Sequence, residues 1–240
     1  MTTTAQDVTG PTALGRFICD QGPNCLIVAR HGETAWNAEG RLQGQRDIPL
    51  NSRGCSQALA IARFLSKTPL VQVHTSSLRR SRQTTASITE ANIGGSSAVP
   101  SDLLMETTLG VLEGELKERQ STAELTRHYK AFCKDEVNYR VLDGENLHDV
   151  AARVKHFFVE DDELLKQQGV HLIVGHRNLN KMILKHLLGL SFEEGFQVEQ
   201  EHQRLYLYFG DSKKLWSCWV DNTAARLTLG YVTTVDNSYA

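Results

Sequence analysis

Four chemically distinctive residues follow an apolar run near the start of the chain. Residues 26–29 read LIVA, and Arg30, His31, Gly32 and Glu33 come next. Arginine offers a planar fork of donors to an anion, and histidine can act as a nucleophile at neutral pH without a metal ion. Glycine lets the backbone approach a ligand closely. This order of residue types predicts an anion site that carries its own nucleophile.

Two other polar sequences follow apolar runs in the same way. SSLRRSRQT begins after the strand candidate 71–75, and HRNLN begins after the candidate 170–175, just as Arg30 follows the candidate 25–29. In a parallel sheet, ligands bind beyond the carboxyl ends of the strands. We therefore expect the three sequences to meet at one edge. There, two histidines, several arginines and the free N–H groups of helix starts would suit a phosphate dianion.

Segments with helical periodicity separate the strand candidates. Apolar residues recur at helical spacing in residues 52–66, 78–92, 145–166 and 178–189. This alternation predicts an α/β fold of three layers, in which helices cover both faces of a mostly parallel central sheet. Two late apolar runs, RLYLYFG and KLWSCWV, predict a pair of strands joined by a hairpin turn.

Two parts of the chain have weaker patterns. Residues 1–24 are polar and contain several turn-forming residues, which predicts a loosely held N-terminal extension. A chain of 240 residues is then expected to form one domain over residues 25–240. For residues 93–144 we expect mostly helix with an irregular start.

Charge and cysteine content exclude several classes of protein. The chain has 26 Lys and Arg against 28 Asp and Glu, a net charge of -2, so no overall field favours nucleic acid or a membrane surface. Its five cysteines are scattered and form no short ligand pair, which argues against disulfides and a zinc site. The N-terminal sequence has no signal peptide pattern, and no apolar run is long enough to span a membrane. We therefore expect a cytoplasmic protein.

The run RHGETAWNAEGRLQGQRDIPLNSRGCSQA, residues 30–58, resembles the signature of the histidine phosphatase superfamily, the phosphoglycerate mutase-like proteins. The resemblance extends over roughly residues 25–209 and supports the fold expected above. It implies that His31 is the nucleophile and that Arg30 and Asn37 bind the phosphoryl group. Within the same motif, it implies substrate contacts for Thr34, Gln43 and Gly44.

Spacing alone does not choose among the three arginines of SSLRRSRQT. The superfamily pattern resembles Ser76, Leu78, Arg80, Gln83 and Thr84, and so implies that Arg80 binds the phosphoryl group. We expect the other two arginines to lie on a solvated helix face.

HRNLN supplies a second histidine, His176, at a position similar to that of the superfamily's other pocket histidine. The resemblance implies that His176 binds phosphoryl oxygens. Arg177 departs from the glycine common at this point, and it would narrow the pocket or contact the substrate. The other seven histidines have no comparable context, and we expect them on the surface or packed against helices. They are His74, His128, His148, His156, His171, His186 and His202.

METTLGVLEGEL, residues 105–116, resembles the superfamily segment whose first glutamate is the proton donor, which implies this role for Glu106. We expect Glu113 and Glu115 to stabilise the loop. DGEN, residues 143–146, resembles the Gly-Glu-Ser turn of the superfamily with an asparagine in place of serine, and here we expect Glu145 to be structural.

The resemblance implies a phosphomonoester hydrolase that acts on a small phosphorylated metabolite through a phosphohistidine. It implies neither a metal ion nor another cofactor. The alternative is a 2,3-bisphosphoglycerate-dependent phosphoglycerate mutase. The stretch between His31 and His176 is too short for the long insertion of the mutases, and FQVEQEHQRLYLYF resembles the small-metabolite phosphatases. A phosphate-binding module without catalytic activity would lack at least one of four residues, and all four are present: His31, Arg80, Glu106 and His176. The sequence is compatible with a monomer or a homodimer.

Overall fold

The computed structural model describes residues 5–161, 164–221 and 224–233. A single sheet of eight strands runs through this part of the chain. The strands, in chain order, are β1 (Ala5–Thr9), β2 (Asn24–Arg30), β3 (Leu70–Ser76), β4 (Ala98–Ser101), β5 (Gly169–Gly175), β6 (Arg204–Phe209), β7 (Lys214–Asp221) and β8 (Ala224–Leu229). The predicted strands correspond to β2, β3, β5, β6 and β7, with ends that differ by at most one residue.

Eight α-helices are described. They are α1 (Pro11–Gln21), α2 (Ala35–Ala38), α3 (Ser52–Leu65), α4 (Arg79–Ala91), α5 (Ala123–Lys134), α6 (Leu147–Glu160), α7 (Arg177–Leu188) and α8 (Phe192–Phe196). The four helices predicted from periodicity are α3, α4, α6 and α7. The end predicted for α6 lies beyond Glu160, and part of it, residues 162–163, lies outside the described residues.

The helices cover both faces of the sheet, which confirms the three-layer α/β/α fold. Alternate residues of β2 point to opposite faces, as the period of a strand requires. Ile27 packs into a core with α1, α3 and α4, whereas Val28 packs into a second core with α6 and α7. Because β2 is buried on both faces, its sequence is an uninterrupted apolar run rather than an alternating one.

The sheet is mixed, so the expectation of a mostly parallel sheet is wrong in that respect. Its order is β1-β8-β7-β6-β2-β5-β3-β4. The pairs β2–β5, β5–β3 and β3–β4 are parallel, whereas β2–β6, β6–β7, β7–β8 and β8–β1 are antiparallel. Only a few residues separate β6 from β7 and β7 from β8, and connections this short can join only antiparallel neighbours.

Residues 5–21 are part of the fold rather than a loosely held extension, and residues 1–4 of the predicted extension lie outside the described residues. β1 pairs with β8 at the edge of the sheet, and α1 buries Leu14, Phe17 and Ile18 in the core. The ring of Phe17 meets that of Trp216 edge to face at 5.1 Å between centroids. The sequence did not predict this because β1 buries only one of its five residues and shows no apolar alternation.

Residues 93–144 contain less helix than expected. They comprise β4, two single turns of 3₁₀ helix at Asp102–Leu104 and Gly110–Leu112, and α5, with irregular backbone between them. Their apolar side chains form a small separate core that includes Leu112, Tyr129 and Phe132. Because this segment packs largely on itself, its residues need not follow one helical period.

Among the described residues, no helix is both long and apolar enough to cross a membrane. Within the same residues, no group of three or more His, Cys, Asp or Glu side chains is arranged to hold a metal ion.

The packing of α1 predicts that Phe17→Ala lowers the free energy of unfolding by about 3–5 kcal/mol, because a buried aromatic ring leaves a cavity. Urea unfolding should show a lower midpoint with an unchanged slope. Leu59→Ala is the matched control, since Leu59 is 46% exposed on α3 and its truncation should change stability by less than about 0.5 kcal/mol. Equal effects of the two variants would contradict the integration of α1 into the core.

Candidate active site

The three polar sequences singled out above meet at one edge of the sheet. β2, β5 and β3 are adjacent and parallel, so their carboxyl ends lie side by side. The N–H of His31, just after β2, donates to the carbonyl of Gly175 at the end of β5 over 3.1 Å. The fold therefore brings together the segments after β2, β3 and β5, as expected for a ligand site beyond parallel strands.

The turn that carries His31 is held by backbone contacts. The N–H of Gly32 donates to Thr84 Oγ1 of α4 at 3.0 Å, and the N–H of Glu33 donates to Gln57 Oε1 of α3 at 2.8 Å. A Cβ on Gly32 would overlap the backbone of Gly54 in the first turn of α3. Only glycine allows this approach, so the turn sits directly on the helix.

The His31 ring has one defined tautomer. Nδ1 lies 2.7 Å from the carbonyl oxygen of Gly32, and because a carbonyl only accepts, Nδ1 must carry the hydrogen. Burial, aided by the cation of Arg80, holds the pKa of His31 well below its usual range. A neutral ring protonated at Nδ1 leaves the lone pair on Nε2. This is the form of histidine that attacks an electrophile.

A cavity of about 300 Å³ opens at this edge. Its lining includes most of the residues that the sequence indicated. Those residues are Arg30, His31, Asn37, Gln43, Gly44, Arg80, Glu106 and Arg177. Arg41, Lys117 and His202 also line the cavity, although the sequence did not indicate them.

Arg80 is buried at the cavity, whereas Arg79 and Arg82 are exposed. Its guanidinium donates through Nη1 to the carbonyl of Arg46 at 2.7 Å and through Nη2 to that of Gly44 at 2.8 Å. Burial lowers the pKa of Arg80 to about 10, so the side chain stays charged at neutral pH. Its Nε has no hydrogen-bond partner among the described residues.

His176 lies at the N-cap of α7, and its ring centroid is 5.0 Å from that of His31. Nε2 is 3.3 Å from Ser81 Oγ, while the buried Nδ1 has no partner in the described part of the chain. Burial, together with the cations of Arg80 and Arg30, keeps the pKa of His176 well below its usual range. Buried polar atoms without a protein partner are costly, and an anionic oxygen would satisfy the donors among them.

Glu106 lies at the N-terminus of α7, as His176 does. Its Oε2 accepts from the N–H of Asn178 and its Oε1 from that of Leu179, both at 3.3 Å, and Oε1 also accepts from the N–H of Thr107 at 2.9 Å. These contacts orient the carboxyl group at the cavity wall. α7 therefore positions both His176 and Glu106.

An ion pair outside the cavity holds the backbone on either side of Glu106. Arg153 of α6 binds both oxygens of Glu145, at 2.7 and 3.0 Å, and donates to the carbonyl of Leu103 at 2.7 Å. Glu145 in turn accepts from the N–H of Thr108 at 3.1 Å. The structural role expected for Glu145 is therefore to anchor the segment that carries Glu106.

Thr34 is fully buried and does not line the cavity, contrary to the expected substrate contact. Its hydroxyl caps α2 by accepting from the N–H of Asn37 at 3.2 Å, and it also donates to Gln43 Oε1 at 2.9 Å. Sequence resemblance could not separate a residue that touches the ligand from one that positions such residues. Thr34 holds two cavity residues, Asn37 and Gln43, in place.

Two of the glutamates near Glu106 stabilise loops, as expected. Glu113 accepts from the N–H of Gln45 at 2.9 Å and from Thr108 Oγ1 at 3.0 Å, whereas Glu115 binds Ser121. A Cβ on Gly44, whose φ is +50°, would overlap the Glu113 carboxylate. Gly44 thus reaches the cavity through its backbone.

Further cations line the cavity. Arg177, the first residue of α7, and Lys117 both belong to its lining. Burial, and then the cations of Arg177 and Arg30, lower the pKa of Lys117. This mutual repulsion of cations favours an anionic ligand.

His202 lies beside the nucleophile, contrary to the expectation that it is a surface or packing residue. Its Nδ1 donates to the backbone carbonyl of His31 at 2.6 Å, and the two ring centroids are 5.6 Å apart. No local motif around His202 could have indicated this. The contact arises because β6 pairs with β2 antiparallel, with Ala29 opposite Leu205, which brings the residues just before β6 next to those just after β2.

The fold and the cavity define a class of α/β protein in which two histidines and two arginines form an anion site beyond the carboxyl ends of the strands. The chain belongs to the histidine phosphatase superfamily. The family model for branch 1 of this superfamily matches residues 26–221.

Two bacterial relatives carry the name "Probable phosphoglycerate mutase GpmB". The one from Serratia proteamaculans is 33% identical over 165 residues, which cover 69% of this chain and 75% of the relative. The one from Shigella boydii is 31% identical over 204 residues, which cover 85% of this chain and 93% of the relative.

A solved structure of a mycobacterial glucosyl-3-phosphoglycerate phosphatase, in complex with VO3, has the same fold. It superimposes with a TM-score of 0.65 at 23% identity, over 90% of this chain and 99% of that chain.

The electrostatics of the site predict that His31 and His176 are still neutral at pH 6.5, where an ordinary histidine is half protonated. Because their pKa values lie below the ordinary value of about 6.5, protonation should begin only at lower pH. Long-range ¹H–¹⁵N spectra should show the Nδ1–H tautomer for His31 at that pH. A free peptide of residues 29–33 is the control and should titrate near pH 6.5. A doubly protonated ring for either histidine at pH 6.5 would contradict the electrostatics described here.

Proposed function

We propose that the chain is a phosphomonoester hydrolase that transfers the phosphoryl group first to His31 and then to water. The observation that carries the proposal is the neutral His31 ring, whose Nε2 lone pair is available while buried cations surround it. A substrate dianion is attracted to the same place where the nucleophile is ready to attack. Phosphoryl transfer depends mainly on such positioning and charge stabilisation.

In the first step Nε2 of His31 attacks phosphorus in line with the ester oxygen. The P–N bond forms as the P–O ester bond breaks. Arg30, Arg80 and His176, together with the side-chain amide of Asn37, bind the three phosphoryl oxygens that stay on phosphorus. Glu106 gives its proton to the departing alkoxide, so that a neutral alcohol leaves and a carboxylate stays behind.

In the second step a water molecule attacks the phosphohistidine from the side that the alcohol has left. The Glu106 carboxylate accepts a proton from this water, the P–N bond breaks, and inorganic phosphate is released. His31 returns to its neutral form and Glu106 to its protonated form. The cycle consumes one ester and one water, and these steps require no metal ion or other cofactor.

The substrate is a small phosphorylated metabolite. A cavity of about 300 Å³ lies at the small end of the range for metabolite sites. Arg177 and Lys117 add positive charge to the cavity besides that of the residues assigned to the phosphoryl group, which favours a substrate with a further acidic group. Arg177 thus contacts the substrate in this scheme.

A phosphoglycerate mutase is the second candidate, and the name of the GpmB relatives favours it. A mutase would use the same residues but return the phosphoryl group to a second position of the substrate. We favour hydrolysis because the chain lacks a long insertion after the segment of Glu106, so fewer residues enclose the intermediate against water.

The proposal predicts that labelled phosphoryl from 3-phosphoglycerate or another accepted ester appears briefly on the wild-type protein as an acid-labile adduct and then as free phosphate. His31→Ala should form no adduct and lose at least about 10³-fold in turnover, because the nucleophile is gone. His148→Ala, which changes an exposed histidine, is the control, and it should still form the adduct and turn over the substrate at the wild-type rate. Formation of 2-phosphoglycerate faster than free phosphate, with the bisphosphate primer present, would make the mutase correct instead.

The role of Glu106 predicts different losses on different leaving groups. Glu106→Gln should slow the cleavage of alkyl phosphates by about 10²–10⁴, since a basic alkoxide needs the proton. p-Nitrophenyl phosphate leaves as a stable phenolate, so its first step should change little. The variant should then show a burst of nitrophenol followed by a slow steady rate, because the second step lacks its base.

The control for this variant is Glu115→Gln, which changes a glutamate that binds Ser121 outside the cavity. It should keep wild-type rates on both substrates. Equal losses of Glu106→Gln on alkyl and aryl esters without a burst would show that Glu106 only supports the structure.

A further inference from the structure

His202 is a cavity residue for which the proposed reaction has no use. It lies outside the motifs of the sequence, yet its ring is next to that of His31 and it lines the same cavity. One nitrogen, Nδ1, is engaged by the carbonyl of His31 at 2.6 Å. Among the described residues, no hydrogen bond to the other nitrogen, Nε2, is found.

The protonation of the ring follows from this contact. Because the carbonyl of His31 only accepts, Nδ1 of His202 carries a hydrogen. Burial, and then the Arg30 cation, lower the pKa of His202 to about 3, although the bond to the His31 carbonyl acts in the opposite direction. The ring is therefore neutral at physiological pH, and Nε2 is a bare acceptor.

Nε2 of His202, a hydrogen-bond acceptor without a proton, can have only a few functions in the cavity. Its lone pair would repel the oxygens of a phosphoryl dianion, so Nε2 is not one of the groups that bind them. A base with a pKa of about 3 accepts protons too weakly to act in general base catalysis near neutral pH. What it can do is accept a hydrogen bond from an O–H or N–H group of the ligand.

We propose that His202 selects phosphomonoesters whose alcohol portion carries a hydroxyl group close to the ester oxygen, by accepting a hydrogen bond at Nε2. The inference rests on the proposed function and adds the substrate class: phosphorylated polyols, sugars or hydroxy acids rather than simple alkyl phosphates. An acceptor in the cavity that the wrong substrate covers and leaves unpaired penalises that substrate, so a single nitrogen gives discrimination.

The experiment compares glycerol 1-phosphate with n-propyl phosphate, which has the same carbon chain without hydroxyl groups. The wild type should prefer glycerol 1-phosphate by about tenfold or more in kcat/KM. His202→Asn can keep a donor for the carbonyl of His31, since the asparagine amide lies near the position of Nδ1, but it lacks Nε2. It should lose the preference and keep the rate on n-propyl phosphate within about threefold.

His202→Phe keeps the ring and loses both nitrogens. It should lose the preference and also part of the rate on both esters, because His31 loses a contact. The ratio between substrates thus separates recognition from the support of His31. A wild type without preference, or an unchanged preference in the two variants, would overturn the inference and leave His202 with a positioning role alone.

A failure of the proposed function gives a different result. If the wild type releases phosphate from neither ester nor from any other phosphomonoester of a metabolite panel, the hydrolase proposal fails, and binding of the two esters to the wild-type protein is measured by calorimetry instead. Tighter binding of glycerol 1-phosphate that is lost in His202→Asn supports the role of His202. Equal binding of the two esters overturns it.

Discussion

A neutral imidazole buried among guanidinium groups is the interaction on which the site depends. Arg30 and Arg80 lie close enough to His31 to disfavour a third positive charge, and burial acts in the same direction. The resting form of the ring is therefore its nucleophilic form. Arg80 can be buried as a cation because two backbone carbonyls accept its hydrogen bonds. An anionic ligand would relieve the repulsion, so attraction and reactivity have one electrostatic origin.

The helices around the site link the position of Glu106, the proposed proton donor, to that of His176, which is assigned to the phosphoryl group. The first turn of α7 provides His176 and the two N–H groups that orient Glu106. On the other side, Arg153 and Glu145 anchor the backbone around Glu106 to α6. A shift of α7 relative to α6 would therefore move the proton donor and one phosphoryl ligand together. The core shared by these two helices keeps that distance constant.

Sequence reasoning predicted the parts of the fold that have local signals. β2, β3 and β5 are buried runs that end in polar motifs, and α3, α4, α6 and α7 have a clear period. β4 is an edge strand of only four residues, including Pro100, β1 at the other edge buries one residue of five, and β8 buries two of six, so none of these has a strong apolar pattern. β1 in particular is placed by its pairing with β8, which lies at the other end of the sequence.

The same distinction holds for the site. Arg30, His31, Arg80 and Glu106 belong to motifs, and the structure brings them to one cavity. His176, also a motif residue, is fully buried beside His31 and is not part of the cavity lining. For His202 the decisive fact is the register of β6 against β2, which no short stretch of sequence contains. For Thr34 the motif indicates a position close to the site, but no local pattern indicates that the side chain is buried. Thr34 caps a helix instead of contacting the substrate.

The close approach of Gly32 to Gly54 has a consequence for the fate of the phosphoryl group. A turn seated directly on a helix keeps His31 still, so phosphorus can be displaced from the ring along only one line. The departing alcohol and the incoming water must then use the same position in succession. Water and a second alcohol then compete for that position. Hydrolysis follows if water occupies it, and transfer follows if the alcohol does. How long an alcohol stays in the cavity, rather than a change in the reacting residues, would decide between a phosphatase and a transferase built on this turn.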